Sequence, residues 1–206
     1  IAESGEFVSP TVFQVKLKSG LTFANGNPLT ASDVKFTFDR QQNIADDNGP
    51  SYLLSNLTTT EVVDDLTVNF NLAVENDQVF KAVLSSPAAP IVDEDVFAAD
   101  SITSDDEIVA GNAFAGQYVI TSYSFNELVQ FEPFAGYMGA LGAPANASVT
   151  LKYYADESNM KLDVQQGNID VATRSLSATN IADLEADENV NVIYGPGGEI
   201  RYIVFN

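Results

Sequence analysis

Between Thr22 and Arg40 the chain changes its periodicity, and that change restricts what it can fold into. Just upstream, Val12 to Lys18 alternates. Phe13, Val15 and Leu17 face one way, and Gln14, Lys16 and Lys18 face the other, as in a half-buried strand. Ser19-Gly20 turns this strand. Asn25-Gly26 marks a second turn, because both residue types tolerate positive φ. From Thr30 the period lengthens. Thr30 suits an N-cap, Asp33 follows three residues later, and Val34 and Phe38 share one helical face. Asp46 to Pro50 then breaks the helix.

The same alternation of elements continues. Thr58 to Val63 and Leu66 to Leu72 read as a hairpin around Asp64-Asp65, with Leu66, Val68, Phe70 and Leu72 on one face of its second arm. Asn76 to Leu84 reads as a short helix presenting Val79, Phe80, Val83 and Leu84, ended by Pro87 and Pro90. Gln117 to Tyr123 pairs with Leu128 to Glu132 through Ser124 to Glu127. Val149, Leu151 and Tyr153 share a strand face. Ser158 to Gln166 is helical and stops at Gly167, which suits a C-terminal cap. Ser177 caps a helix through Glu185, with Ile181 and Leu184 inward. Val190 to Tyr194 and Ile200 to Phe205 read as strands. IAESGEFVSP, before all of this, reads as a short polar lead-in. The sum is a mixed α/β (α+β) chain with no internal repeat.

Composition excludes several functions. The chain has 206 residues, 29 acids, 9 bases and a net charge of −20. Nucleic-acid binding needs basic surface to release counterions, and adhesion to anionic membranes needs the same sign. The chain has neither Cys nor His. Disulfides, Cys or His nucleophile chemistry and thiolate or imidazole metal sites are therefore out of reach. No carboxylate pair sits in a distinctive motif, so no catalytic residue and no metal or cofactor site is assigned. No Lys or Arg occurs between Ala82 and Leu151. Asp93, Glu94, Asp95, Asp100, Asp105, Asp106 and Glu107 cluster there without the spacing of a calcium loop, and they are expected to form a solvated acidic face. A surface this acidic favours a soluble monomer. No apolar run reaches the roughly eighteen residues of a membrane span. Ile1 is not a start Met, and the chain is expected to be an internal fragment.

TFANGNPLTASDVKFTFDR resembles a phrase of the extracellular solute-binding proteins of ABC importers, in the peptide- and nickel-binding family 5. Phe23, Gly26, Pro28, Leu29, Thr30, Ala31, Asp33, Val34, Phe36, Phe38 and Arg40 match that phrase. EVVDDLTVNFNL is similar to the family's hairpin, VQQGNIDVA to its L-x-x-G-x-I-D phrase, and GGEIRYIVFN to a late strand. NAFAGQYVI holds the family's Gly and Tyr at Gly116 and Tyr118 but departs at Phe114 and Gln117. PFAGYMGAL keeps Pro133, Tyr137 and Gly139, with Met138 where the family usually has Trp.

The resemblance implies a periplasmic-binding-protein-like lobe of class II type, flanking a solute cleft whose second lobe is absent from this chain. It implies a main lobe from residues 1–28 and 101–206, with a small α+β subdomain, residues 29–100, inserted as a separable unit. It implies a non-enzymatic protein outside the cytoplasmic membrane, secreted or lipid-anchored, that delivers solute to an ABC permease. GPSYLLSN is similar to a phrase in which peptide-binding members place an aromatic, so Tyr52 is a candidate solute contact. Gly198, Glu199, Arg201 and Tyr202 lie where the family's chain approaches the cleft. Gly198 would let backbone come close, Arg201 would grip a carboxylate by two parallel bonds, and Glu199 would meet an α-ammonium. An extended peptide is the expected solute, because its backbone can pair with strand edges. A nickel chelate and a sugar are alternatives, and a secreted acidic protein-interaction domain is the rival from another class.

Overall fold

A computed structural model describes residues 1–195. The chain divides into a compact unit spanning Ile1–Leu151 and a second beginning at Lys152.

The first unit is built on a four-stranded antiparallel sheet in the order β1-β2-β4-β3. Its strands are β1 (Ala2–Ser9), β2 (Val12–Leu17), β3 (Leu57–Asp64) and β4 (Thr67–Leu72). The alternation in β2 and β4 is realised as expected. Phe13 lies opposite Phe70 and Val15 opposite Val68, and all four side chains are buried. Helix α1 (Ala31–Ile44) packs on β3 and β4. Phe38 and Phe70 meet edge to face at 4.8 Å, and the ring contacts continue through Phe80 and Phe13 to Phe7. This aromatic row is the centre of the core.

Two expectations about this region are corrected. IAESGEFVSP is no lead-in but the edge strand β1. Its sequence lacks alternation because most of its side chains stay exposed. Its backbone nevertheless finds partners along β2, from Ala2 opposite Leu17 to Ser9 opposite Val12. Residues 29–100 are also not separable from the opening strand. β2, assigned to the main lobe by the resemblance, lies between β1 and β4. The buried side chains of β2, Phe13, Val15 and Leu17, share one core with Val34, Phe38 and Phe70, so the core crosses the expected boundary.

The helix expected over Asn76–Leu84 shrinks to α2 (Phe80–Val83). Asn76 takes positive φ, and Asp77 accepts the Val79 amide at 2.8 Å, so side-chain turns displace the first helical turn. Phe80 is buried, but Val79 is exposed. Helix α3 (Asp105–Gly111) keeps Asp105, Asp106 and Glu107 exposed, as expected of the acidic face, and opens on a full capping box between Ser104 and Glu107. Ser104 holds the Glu107 carboxyl below its usual range, through its hydroxyl first and then its amide. A second sheet, order β5-β6-β7, contains the expected hairpin of β5 (Tyr118–Ser124) and β6 (Leu128–Pro133), with β7 (Val149–Lys152) beside it.

The second unit carries α4 (Glu157–Gln165) and α5 (Ala178–Glu185). Asp156, two residues before the expected start, caps α4 by accepting the amides of Ser158 and Asn159. Gly167 follows the helix at φ +70°, the left-handed cap expected of it. Ser177 caps α5 and Leu184 is buried, as read from sequence. The expected strand Val190–Tyr194 is irregular, with Ile193 and Tyr194 exposed. Ile200–Phe205 lies outside the described residues.

Asp163 ties α4 to the segment before it. Its carboxylate accepts from Lys152 Nζ at 2.6 Å, Tyr154 Oη at 2.5 Å and Asn168 Nδ2 at 3.1 Å. Lys152 first, then Tyr154 and Asn168, hold this carboxyl at about 2, below its ordinary 3.8. A folded pKa below the unfolded one stabilises the fold above the unfolded value, and that stabilisation is lost as pH falls through the folded one. The difference in stability between wild type and Asp163→Asn is therefore expected to be full at pH 5 and to shrink from about pH 4 towards pH 2. Thermal melts of both proteins across that range check it. A difference independent of pH would show that the charge of Asp163 is not what counts.

Candidate functional site

The segment Thr22–Arg40 does scaffold work, and its polar residues show how. Its apolar positions Phe23, Leu29, Ala31, Val34 and Phe38 are all buried. Thr30 and Asp33 form a capping box at the start of α1. The other Asp33 oxygen accepts the Glu94 amide at 3.2 Å. Thr37 Oγ1 accepts the Val92 amide at 2.9 Å. Arg40 donates to the carbonyls of Ala98 and Ser101, both at 2.7 Å, and lies over the Phe97 ring. Asn25 and Asn27 both donate to Asp93 Oδ2, at 2.8 and 2.9 Å. One turn and one helix thus clamp the irregular stretch 92–101 along its whole length.

Asp93 overturns part of the acidic-face expectation. It is 1% exposed, and its other oxygen accepts the Asp95 amide at 3.0 Å. A carboxylate can be buried where several donors replace its water. Asn25 also reaches the Gly111 carbonyl at 3.3 Å. At Gly111 a Cβ would stand 2.5 Å from Val96 Cγ1, so only glycine lets α3 close on this stretch. Nothing local in the sequence marks Asp93 as different from its acidic neighbours, because its partners lie 66 and 68 residues away. Among the described residues, no group of three or more potential ligands is placed to hold a metal ion.

Asp93→Ala is expected to cost about 2 kcal/mol, since it leaves Asn25, Asn27 and the Asp95 amide without their acceptor. In denaturant melts, a double-mutant cycle with Asn27→Ala should show coupling of at least about 0.5 kcal/mol. Strict additivity would mean that the two do not act together.

Tyr52, the solute-contact candidate, stands on a short 3-10 turn, Pro50–Leu54, and is 73% exposed. Pro50 starts that turn and buried Leu54 anchors it. Beside Tyr52 is an open depression of about 430 Å³, lined also by Gln42, Asp46, Asp47, Ser51 and Ser55. Gly198, Glu199, Arg201 and Tyr202 lie outside the described residues, so the structure does not place them against Tyr52. In the loop after β6, Lys18 Nζ donates to the Met138 carbonyl and Gln117 Nε2 to the Gly142 carbonyl, both at 2.9 Å. Of the two departures from the family's phrases, Gln117 thus holds this loop through its side chain, and Met138 only through its backbone carbonyl.

Over residues 1–206 the chain matches the family described as bacterial extracellular solute-binding proteins, family 5, middle. The chain belongs to this family. Among family 5 relatives, the glutathione-binding protein GsiB of Escherichia coli O1:K1 is 27% identical over 194 residues, which is 94% of this chain and 36% of GsiB. The structure is similar to that of AppA from Clostridium difficile, with a TM-score of 0.73 and 25% identity over 91% of this chain and 38% of AppA. It is also similar to the ABC transporter substrate-binding protein CtaP from Listeria monocytogenes, at 0.67 and 28% over 82% and 34% of the two chains. The chain spans about a third of the length of the relatives it matches. The expected mixed α/β, periplasmic-binding-protein-like fold holds. Family 5 proteins bind solutes outside the cytoplasmic membrane and are not grouped as enzymes. Among the described residues, no helix is long and apolar enough to cross a membrane.

Proposed function

We propose that this protein is the extracellular solute-binding component of an ABC importer, and that it delivers a peptide-like solute to the membrane permease. The match to family 5 along the whole chain carries this reading. The named ligand of GsiB, a small peptide, favours the solute class. The chain would supply part of the first lobe, and the remaining two thirds of a relative's length would supply the rest of the cleft. The full-length protein would work as a monomer, anchored to the outer face of the cytoplasmic membrane. Tyr52 is proposed as one solute contact, supported by its exposure on an anchored turn. Gly198, Glu199, Arg201 and Tyr202 are proposed as others on the chemistry of their side chains and backbone.

A metal chelate is the second reading. NikA from Brucella suis, bound to Fe(III)-EDTA, shares 25% identity and a TM-score of 0.65 with this chain. A chelate brings its own ligands, so the solute class does not require His or Cys from this portion. Calorimetric titration of the full-length protein with mixed tripeptides, glutathione and nickel or iron chelates separates the two. Micromolar binding of peptides is expected; heat from chelates alone would overturn the peptide assignment.

A further inference from the structure

The apolar face of the four-stranded sheet is not covered evenly. Helix α1 lies over β3 and β4. Opposite β2 stands α2, a single turn whose Phe80 meets Phe13. β1 adds little bulk of its own. Residues directly opposite on paired strands share a face, so Phe7, Gly5 and Ala2 stand on the side of Phe13, Val15 and Leu17. Phe7 packs on Phe13. Beyond it the strand offers only a hydrogen and a methyl group, and Gly5 and Ala2 stay exposed although they face the core side. The space left there is an open cavity of about 310 Å³. Leu17, Val34, Phe38 and Phe70 form its inner wall, and all four are buried.

The rim carries one charged side chain. Lys81, on α2, lines the cavity, and no Asp or Glu does, although the chain has 29 acids. Every other cation of the first unit is engaged. Lys16 pairs with Glu3 and Lys35 with Asp39. Lys18 donates to the Met138 carbonyl, and Arg40 to those of Ala98 and Ser101. Lys81 has neither an ion pair nor a hydrogen bond among the described residues. An apolar cavity beside an unpaired ammonium suits an occupant that is apolar along its length and anionic at one end.

We infer that this cavity binds a straight-chain alkyl carboxylate, with its chain against the inner wall and its carboxylate at Lys81. Ser4 and Ser85, also in the lining, offer hydroxyls to the same head. At roughly 30 Å³ for each water-sized group, the space holds a chain of about eight to ten carbons. The inference does not rest on the peptide reading, because the lining lies entirely within residues 1–91.

The test is calorimetric titration of the full-length protein with decanoate, decanol and decyltrimethylammonium, each below its micelle concentration. Decanoate is expected to bind about tenfold more tightly than decanol, through its charged hydrogen bond. Shorter carboxylates should weaken by about fourfold for each methylene removed. Lys81→Gln should remove the preference for decanoate and leave decanol within about twofold, as a surface substitution. Ala2→Phe, which sets a ring into the cavity from the edge strand, should abolish binding of both. Should that variant fail to fold, Ser85→Phe blocks the cavity from its other rim. No binding of decanoate, as when another part of the full-length chain fills the cavity, overturns the inference. Equal affinity for decyltrimethylammonium, or a decanoate preference that survives Lys81→Gln, overturns it as well. Peptide affinity, measured on the same protein, decides the solute reading independently.

Discussion

Phe38→Ala is expected to destabilise the chain by about 3–5 kcal/mol, because it opens a cavity that the sheet and helix cannot both close. Phe38 is 1% exposed and stands edge to face with Phe70. Phe70 in turn touches Phe80, and Phe80 touches Phe13. The lost ring therefore removes apolar burial and one end of an aromatic row, and the facing strands β2 and β4 are held in register by their own ladder. Thr30→Ala, at the other end of the same helix face, should cost only about 1 kcal/mol, through the lost N-cap. Urea midpoints of both variants give the comparison. Small and similar losses would mean that the core does not depend on this helix. A loss of 3–5 kcal/mol is a large part of the 5–15 typical of a domain, so the Phe38 variant should also populate unfolded chain near physiological temperature.

Affinity is expected to fall about a thousandfold when the 206-residue chain is tested in place of the full-length protein. A cleft between lobes divides its contacts between them. If the full-length protein binds a peptide at about 1 μM, near −8 kcal/mol, a portion supplying half of the net interaction keeps about −4, or roughly millimolar. A lone lobe also cannot close over the solute to expel water. Backbone amide shifts of the isolated chain during peptide titration measure this. Weak, saturable shifts at Tyr52 and its neighbours are expected. Micromolar affinity of the chain alone would mean that the described portion holds a complete site, and the division of the cleft between lobes would be wrong.

Much of the fold was legible because its signals are local. The alternation in β2 and β4, the Thr30 and Ser177 caps and the Gly167 stop each depend on residues within a few positions of one another. The family phrase that begins at Thr22 was legible for the same reason. What escaped reading either has no side-chain pattern of its own or is overridden by a local turn. β1 has no pattern of its own and is a strand because β2 offers it an edge. Val79 sits at helical spacing yet stays in solvent, because Asp77 turns the backbone first. Of the candidate site, Tyr52 could be singled out by its phrase, but the depression beside it could not. Its lining runs along one stretch, residues 42–57, and whether that stretch leaves an open depression depends on how the chain bends between α1 and the turn.

The family, the mixed α/β class and the exclusion of Cys and His chemistry all follow from residue types and short spacings. Which acids are surface and which are core follows only from how the chain packs. Asp93, Glu94 and Asp95 are consecutive acids, and only Asp93 lies where Asn25, Asn27 and a backbone amide converge. Tertiary structure also decided that β2 and the hairpin share one sheet. A strand's pattern specifies which face it buries and leaves open which neighbour pairs with its edges, because every strand presents the same backbone donors and acceptors.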